Sequence, residues 1–175
     1  QGHVMYFKQK TRTKLGGFST AALATEDMEA ALSAKQGTLA AVSVALADAF
    51  ISCWDEKYRS NLIRPETYIN TYIDPDWNPI LQTPAFPEHT SGHSVASGAA
   101  ATVLTELVSA QYAFIDSTEV PYGLPERKYQ SFMQAAEEAA ISRLYGGIHY
   151  RPAIEKGLSQ GKAVGEYVLR NIKLK

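Results

Sequence analysis

From Leu39 to Asn61 the chain carries neither glycine nor proline, and the run is filled with alanine, leucine, valine and phenylalanine. Such a stretch favours a helix, because nothing breaks its backbone ladder and few of its side chains lose much rotamer freedom there. Ser43, Asp48 and Ser52 interrupt the apolarity. The run therefore falls short of the roughly 20 apolar residues of a membrane span and reads as a core helix of a soluble domain with no transmembrane segment. It should stop before Arg64-Pro65, since the residue preceding proline avoids the α region.

The remaining elements follow from punctuation. Thr25 followed by Glu26 and Asp27 marks an N-cap and an acidic first turn, and Gly37-Thr38 separates that helix from the long one. Pro75, Pro79, Pro84 and Pro87 exclude regular structure from 74 to 87 and make an ordered connection of the kind that often carries a site. A third helix should run from Thr90-Ser91 through Val108. A fourth should span Arg127 to Tyr145 and end at Gly146-Gly147, and a fifth Pro152 to Asn171, with proline in its first turn. Signals for β structure are weak throughout. The reading is an all-α helical bundle over residues 21–175, preceded by a basic arm over 1–20.

Composition sets further limits. The chain has 175 residues with 17 basic and 18 acidic side chains, enough to bury a core without disulfides or a structural metal and too balanced for a nucleic-acid binder, which shows a basic excess in stripes. Cys53 is the single cysteine, so neither a disulfide nor a cysteine-based zinc site can form within one chain. Lys8, Lys10, Arg12 and Lys14 are followed by Leu15-Gly16-Gly17 and not by the apolar core of a signal peptide. A leader removed before this numbering would leave no trace, so localisation is unassigned, with export to the periplasm one of the destinations left open.

Three clusters carry chemistry. In the first, Lys57 and Arg64 stand seven residues apart, two helical turns, and could converge on one anion; solvated surface charge is the plainer alternative. The second, Phe86-Pro87-Glu88-His89-Thr90-Ser91-Gly92-His93-Ser94, precedes a helix whose first-turn N–H groups, with Gly92 admitting close approach, can cradle an anion. Ser91 adds a hydroxyl and His93 a group that exchanges protons near neutrality; ordinary capping by Thr90 or Ser91 is the alternative. In the third, Arg143 and His149 are six residues apart and share a face only if Gly146-Gly147 breaks the helix and lets His149 fold back. A helix end with a C-cap glycine is the alternative there. Other patterns are weaker. His89 and His93 have metal-ligand spacing, but the capping role of Ser91 places His89 outside the helix. No phosphate-cradling Walker loop, nucleophile elbow or His-Glu-x-x-His occurs. Cys53 reads as a core thiol.

Taken in order, Lys57 to Arg64-Pro65, then Thr90-Ser91-Gly92-His93, then Ser142-Arg143 to His149, the sequence resembles the type 2 phosphatidic acid phosphatase and vanadium-dependent haloperoxidase superfamily. The wording around residues 48–55 and Tyr145-Gly-Gly-Ile-His-Tyr-Arg151 is similar to its soluble bacterial haloperoxidase-like branch, and the resemblance covers about residues 40 to 170. It implies a helical bundle holding one tetrahedral oxyanion, either vanadate as cofactor or the phosphoryl group of a substrate with no cofactor. Lys57, Arg64 and Arg143 would bind its oxygens, with Ser91 and the Gly92 N–H completing the cradle. His149 would be the ligand to vanadium or the nucleophile toward phosphorus, and His93 the general acid and base.

The resemblance implies halide oxidation by hydrogen peroxide as the first reading. Phosphomonoester hydrolysis through a phosphohistidine is the second, and an oxyanion-binding or structural module with weak or lost catalysis the third. The partner expected is a small oxyanion or phosphate ester. Two departures from the family pattern stand out: Thr90 replaces a proline, and Ala153 stands where an aspartate is expected four residues after His149. The second implies that the other ring nitrogen of His149 is held by a backbone carbonyl, a water or Glu155, and that Ala153→Asp would strengthen the site. Because relatives carry a larger helical portion before the first motif, core surface should be covered by a preceding N-terminal segment or by a second copy in a homodimer.

Overall fold

The long helix α1 spans Gln36–Ser60 in the computed structural model, which describes residues 36–173. The basic arm and the helix expected from Thr25 lie outside the described residues. Gly37 and Thr38 sit in the first turn of α1, so the boundary expected at them falls slightly earlier than Leu39. The helix ends at Ser60, and Asn61 takes a left-handed φ of 47°, which asparagine tolerates better than most residues. Arg64 is extended (φ −73°, ψ 155°) and Pro65 opens the short helix α2, Pro65–Tyr72, as the pre-proline restriction requires.

The proline-bearing connection leads into α3 (Gly92–Leu107), capped by Ser91, whose Oγ accepts the Ser94 N–H. α4 (Phe132–Tyr145) and α5 (Arg151–Asn171) complete the bundle. α3 is central and packs against α5, α1 and α4. The core is correspondingly rich in small side chains: Ala41, Ala45 and Ala49 from α1, Ala96, Ala99 and Ala100 from α3, and Ala135 and Ala136 from α4.

One expectation fails. The fourth helix begins at Phe132 and not at Arg127, because residues Arg127–Tyr129 form a strand, β2, paired antiparallel with β1, Phe114–Asp116. Tertiary contacts override helix propensity here. Extended backbone delivers Tyr129 and Phe114 to a buried aromatic cluster with Phe132, ring centroids 5.3 and 5.5 Å from Phe114. It also lets Arg127 and the Tyr129 hydroxyl share the Glu138 carboxylate. Ser131 then caps α4 by accepting the Gln134 N–H at 3.1 Å.

The seating of α5 on α3 depends on Gly157, Gly161 and Gly165, one per turn. A Cβ on Gly161 would lie 2.1 Å from the Val95 carbonyl oxygen and 2.9 Å from the Ala99 nitrogen; one on Gly157 would meet Ser94 Cβ at 2.8 Å and the Ser91 oxygen at 3.0 Å. These are mostly backbone atoms, which cannot move aside cheaply. The close approach lets the Ser91 N–H donate to the Ala153 carbonyl at 3.1 Å, so the start of α3 is held against the start of α5.

The segment Gly37–Tyr72 contains a window that by length and composition alone could cross a membrane, a test that core helices of helical bundles also pass; 39% of that window is buried within the bundle. One face of α1 belongs to the core through Ala41, Val42, Leu46 and Cys53. The other exposes Leu39, Val44, Phe50, Ile51 and Tyr58, an apolar stripe continued by Leu62 and Ile63. Exposed apolar side chains grouped on one element are candidates for an association face.

Two outcomes follow from the packing. Gly161→Ala should destabilise the protein by about 1–3 kcal/mol or more, as overpacking does, whereas Lys162→Ala on the exposed face of the same helix should change stability by less than about 0.5 kcal/mol; urea titration measures both. Sedimentation velocity should show self-association that Ile51→Glu reverses without lowering the unfolding temperature. A monomer unaffected by that substitution would show that the stripe is not an association face.

Candidate functional site

Lys57 and Arg64 do converge, but not as residues on one continuous helix. Lys57 lies in the last turn of α1, and Arg64 reaches in from the extended residue that caps α2. Their meeting point is irregular backbone. Lys57 Nζ donates to the carbonyls of Pro87 and Glu88, both at 3.0 Å. Arg64 donates through Nε to Phe86 O at 3.0 Å, through Nη2 to Pro87 O at 3.3 Å, and through Nη1 to Ile148 O at 2.8 Å. The loop is fixed at both ends, by Glu88 N–H to Leu62 O at 2.9 Å and by Leu81 N–H to Gly146 O at 3.1 Å.

The double glycine acts as expected. Gly147 takes φ 76°, a conformation glycine adopts without steric cost, and the chain turns His149 back beneath Arg64. Gly146 and Gly147 also admit the loop, since Cβ atoms there would press on Leu81 and on Trp77 and Pro79. His149 is buried, with Nε2 3.0 Å from Arg64 Nη1 and Nδ1 2.8 Å from Glu88 Oε1. A guanidinium can only donate, so Nε2 is the acceptor and Nδ1 carries the proton that goes to Glu88. Burial, joined by the nearby Arg64 and Lys57 charges and opposed by Glu88, pushes the imidazole down to about 4, so the ring is neutral at pH 7.

The expectation of a His149 without a carboxylate partner is thereby corrected. Glu88 fills the place that Ala153 leaves, and its Oε1 also accepts the Tyr150 N–H at 3.0 Å. Glu155 takes no part: it is exposed and lies 4.0 Å from Arg151. In the sequence Glu88 stands inside the second cluster with no role assigned to it. The available signal was an acid inside the second motif of a chain whose third motif lacks one.

Arg143 comes from the last turn of α4 and is 2% exposed, yet its Nε and Nη1 have no hydrogen-bond partner among the described residues. Burial lowers Arg143 and Arg64 each to about 10 and Lys57 to about 8. All three remain cationic at neutrality. His93, one residue into α3, sits within electrostatic reach of Arg143, His149 and Lys57, and burial with those charges holds it well below the usual histidine range. Ser91 is fully buried at the N-cap, and its hydroxyl proton remains available beyond the bond it accepts from Ser94. Thr90 turns away to Gln160 Oε1 at 2.6 Å. His89 precedes the helix, as expected.

An aromatic wall borders the cations. Phe50, Trp54 and Phe86 follow one another with centroids 5.2 Å apart at each step, and Lys57 Nζ lies 5.8 Å from the Trp54 ring and 5.3 Å from Phe86. Such faces attract cations where water is scarce. The site therefore gathers Lys57, Arg64, His149 and Glu88 by direct hydrogen bonds. His93 lies within electrostatic reach of Arg143, His149 and Lys57, and Ser91-Gly92 lies at the head of α3.

The chain aligns with the crystal structure of the first bacterial vanadium-dependent iodoperoxidase at 57% identity and a TM-score of 0.85, over 90% of this chain and 38% of that one. It also aligns with holo-type and apo-type bacterial vanadium-dependent chloroperoxidase, each at 20% identity over 74% of this chain, with TM-scores of 0.61 and 0.60; at that identity the likeness is one of fold. The chain spans little more than a third of the length of these relatives. No curated protein matches. The profile of the VCPO second helical-bundle domain matches residues 37–174, nearly the whole described chain, and the protein belongs to that family.

Proposed function

We propose that this chain forms the oxyanion site of a vanadium-dependent haloperoxidase. The observation that carries the reading is Arg143, a buried guanidinium whose Nε and Nη1 have no hydrogen-bond partner among the described residues and whose charge acts on His93 together with that of Lys57. An unpaired buried donor costs about 1–3 kcal/mol, and an oxyanion that accepts from Arg143 Nε and Nη1 would remove that cost. A tetrahedral, multiply charged oxyanion such as vanadate suits this donor set. When bound, it would supply the chemistry by which hydrogen peroxide oxidises a halide.

The protein's own contribution follows from the residues. Lys57, Arg64 and Arg143 would neutralise oxygens of the anion, with Ser91 Oγ and the Gly92 N–H as further donors. His149 would offer Nε2, the nitrogen already turned toward the cations, once Arg64 Nη1 exchanges that contact for an anion oxygen. His93, uncharged at neutral pH because it is desolvated at its half-buried position and faces the charges of Arg143 and Lys57, would begin as a proton acceptor and return the proton later. Likeness at 57% identity to an iodoperoxidase supports this activity over phosphate ester hydrolysis. The preceding portion of a longer chain, or a second copy, would cover the apolar stripe of α1.

Oxyanion binding should stabilise the protein, because it relieves the cost of burying three cations. At 100 times its dissociation constant, vanadate or phosphate should add about 2.7 kcal/mol, raising the melting temperature by roughly 5–10 °C for a domain of this size. An unchanged melting temperature in saturating vanadate would refute the site. In activity assays with vanadate, peroxide and iodide, His149→Ala should abolish turnover, and His93→Ala should lower it by about 10²–10⁴-fold. Rapid hydrolysis of phosphate esters without vanadate would reassign the protein as a phosphatase.

A further inference from the structure

We propose that Glu88 is the positioning residue of His149, supplying from the loop before α3 the carboxylate that position 153 lacks. The assignment builds on the oxyanion-site reading, but its geometric basis is independent of any bound anion. Glu88 is 1% exposed, and its Oε1 lies 2.8 Å from His149 Nδ1 and 3.0 Å from the Tyr150 nitrogen. One oxygen therefore holds both the ring and the backbone that follows it. The same residue is fixed through its main chain, its N–H donating to Leu62 O at 2.9 Å and its carbonyl accepting from Lys57 Nζ at 3.0 Å. Glu88 thus ties the first cluster to the third, and His149 cannot rotate without breaking contacts in both.

The chemical consequence lies in the ring. A carboxylate accepting the Nδ1 proton fixes the tautomer with the lone pair on Nε2 and makes that nitrogen more basic, as acceptors behind metal-bound histidines do. Arg64 donating to Nε2 selects the same tautomer from the other side. Among the described residues nothing else supplies this contact: Ala153 has no polar side chain, and Glu155 is exposed, 4.0 Å from Arg151. The carboxylate of the third motif has been moved to the second.

The test uses Glu88→Gln, which keeps an acceptor oxygen of similar reach and removes the charge, and Glu88→Ala, which removes the acceptor. Nitrogen-15 NMR of the histidine rings in the vanadate-free protein should show His149 protonated on Nδ1 in the wild type, with a strongly downfield Nδ1 proton. In Glu88→Gln that proton should move upfield while the melting temperature stays within a few degrees, and vanadate affinity measured by calorimetry should fall about 10–100-fold. In Glu88→Ala the single tautomer should be lost. If Glu88→Ala fails to fold, Glu88→Gln decides alone. An unshifted Nδ1 proton and unchanged vanadate affinity in folded Glu88→Gln would overturn the assignment. Absence of vanadate binding by the wild type would instead refute the oxyanion-site reading, while the NMR result would still judge Glu88.

Discussion

Three cations held below the surface are the constraint to which the rest of this structure answers. Lys57, Arg64 and Arg143 are at most 4% exposed, and unpaired charges cannot be buried without large cost. Helices offer little help, since their carbonyls are already engaged. The carbonyls that receive Lys57 and Arg64 belong to Phe86, Pro87, Glu88 and Ile148, all in irregular backbone. The prolines between 74 and 87 thus have a positive role: backbone kept out of helix and sheet retains free acceptors. Arg143 receives no such help on its Nε and Nη1, and this residual demand is what a bound oxyanion would meet.

Placing that loop correctly depends on close packing some distance away. Gly157, Gly161 and Gly165 bring α5 onto α3 until backbone meets backbone. As a result the Ser91 N–H reaches the Ala153 carbonyl, and the head of α3 is fixed relative to the segment that carries His149. Gly146 and Gly147 do the same for the loop, which lies directly over them. A site assembled from four segments keeps its spacing only if the elements behind it cannot slide, and small residues at the contacts provide that through interlocked packing.

The tie between Glu88 and His149 shows how a site can keep a chemical requirement while changing the residue that meets it. A buried imidazole presenting Nε2 needs an acceptor for its Nδ1 proton. Position 153 lies four residues after His149, in the first turn of α5, whereas Glu88 reaches Nδ1 from a loop 61 residues away in sequence. Because the contact is defined by space and not by spacing, a pattern read along the chain registers the loss at 153 and misses the gain at 88.

Much of the protein is nonetheless legible in its residues. The gap-free run after Leu39, the prolines, the caps and the double glycine place the helices and the long connection to within a few positions, because these signals act through local backbone sterics. The three ordered clusters pick out Lys57, Arg64 and His149, which hydrogen bonds link through the loop at 86–88. Only the tertiary structure decided the remainder. It made residues 127–129 a strand, because an aromatic cluster and Glu138 reward extended backbone there. It brought Arg64 in from an extended residue and not from a helical turn, and it chose Glu88 over Glu155 as the partner of His149. Each of these outcomes depends on contacts between segments far apart in sequence, whose distances are set by how closely the helices pack.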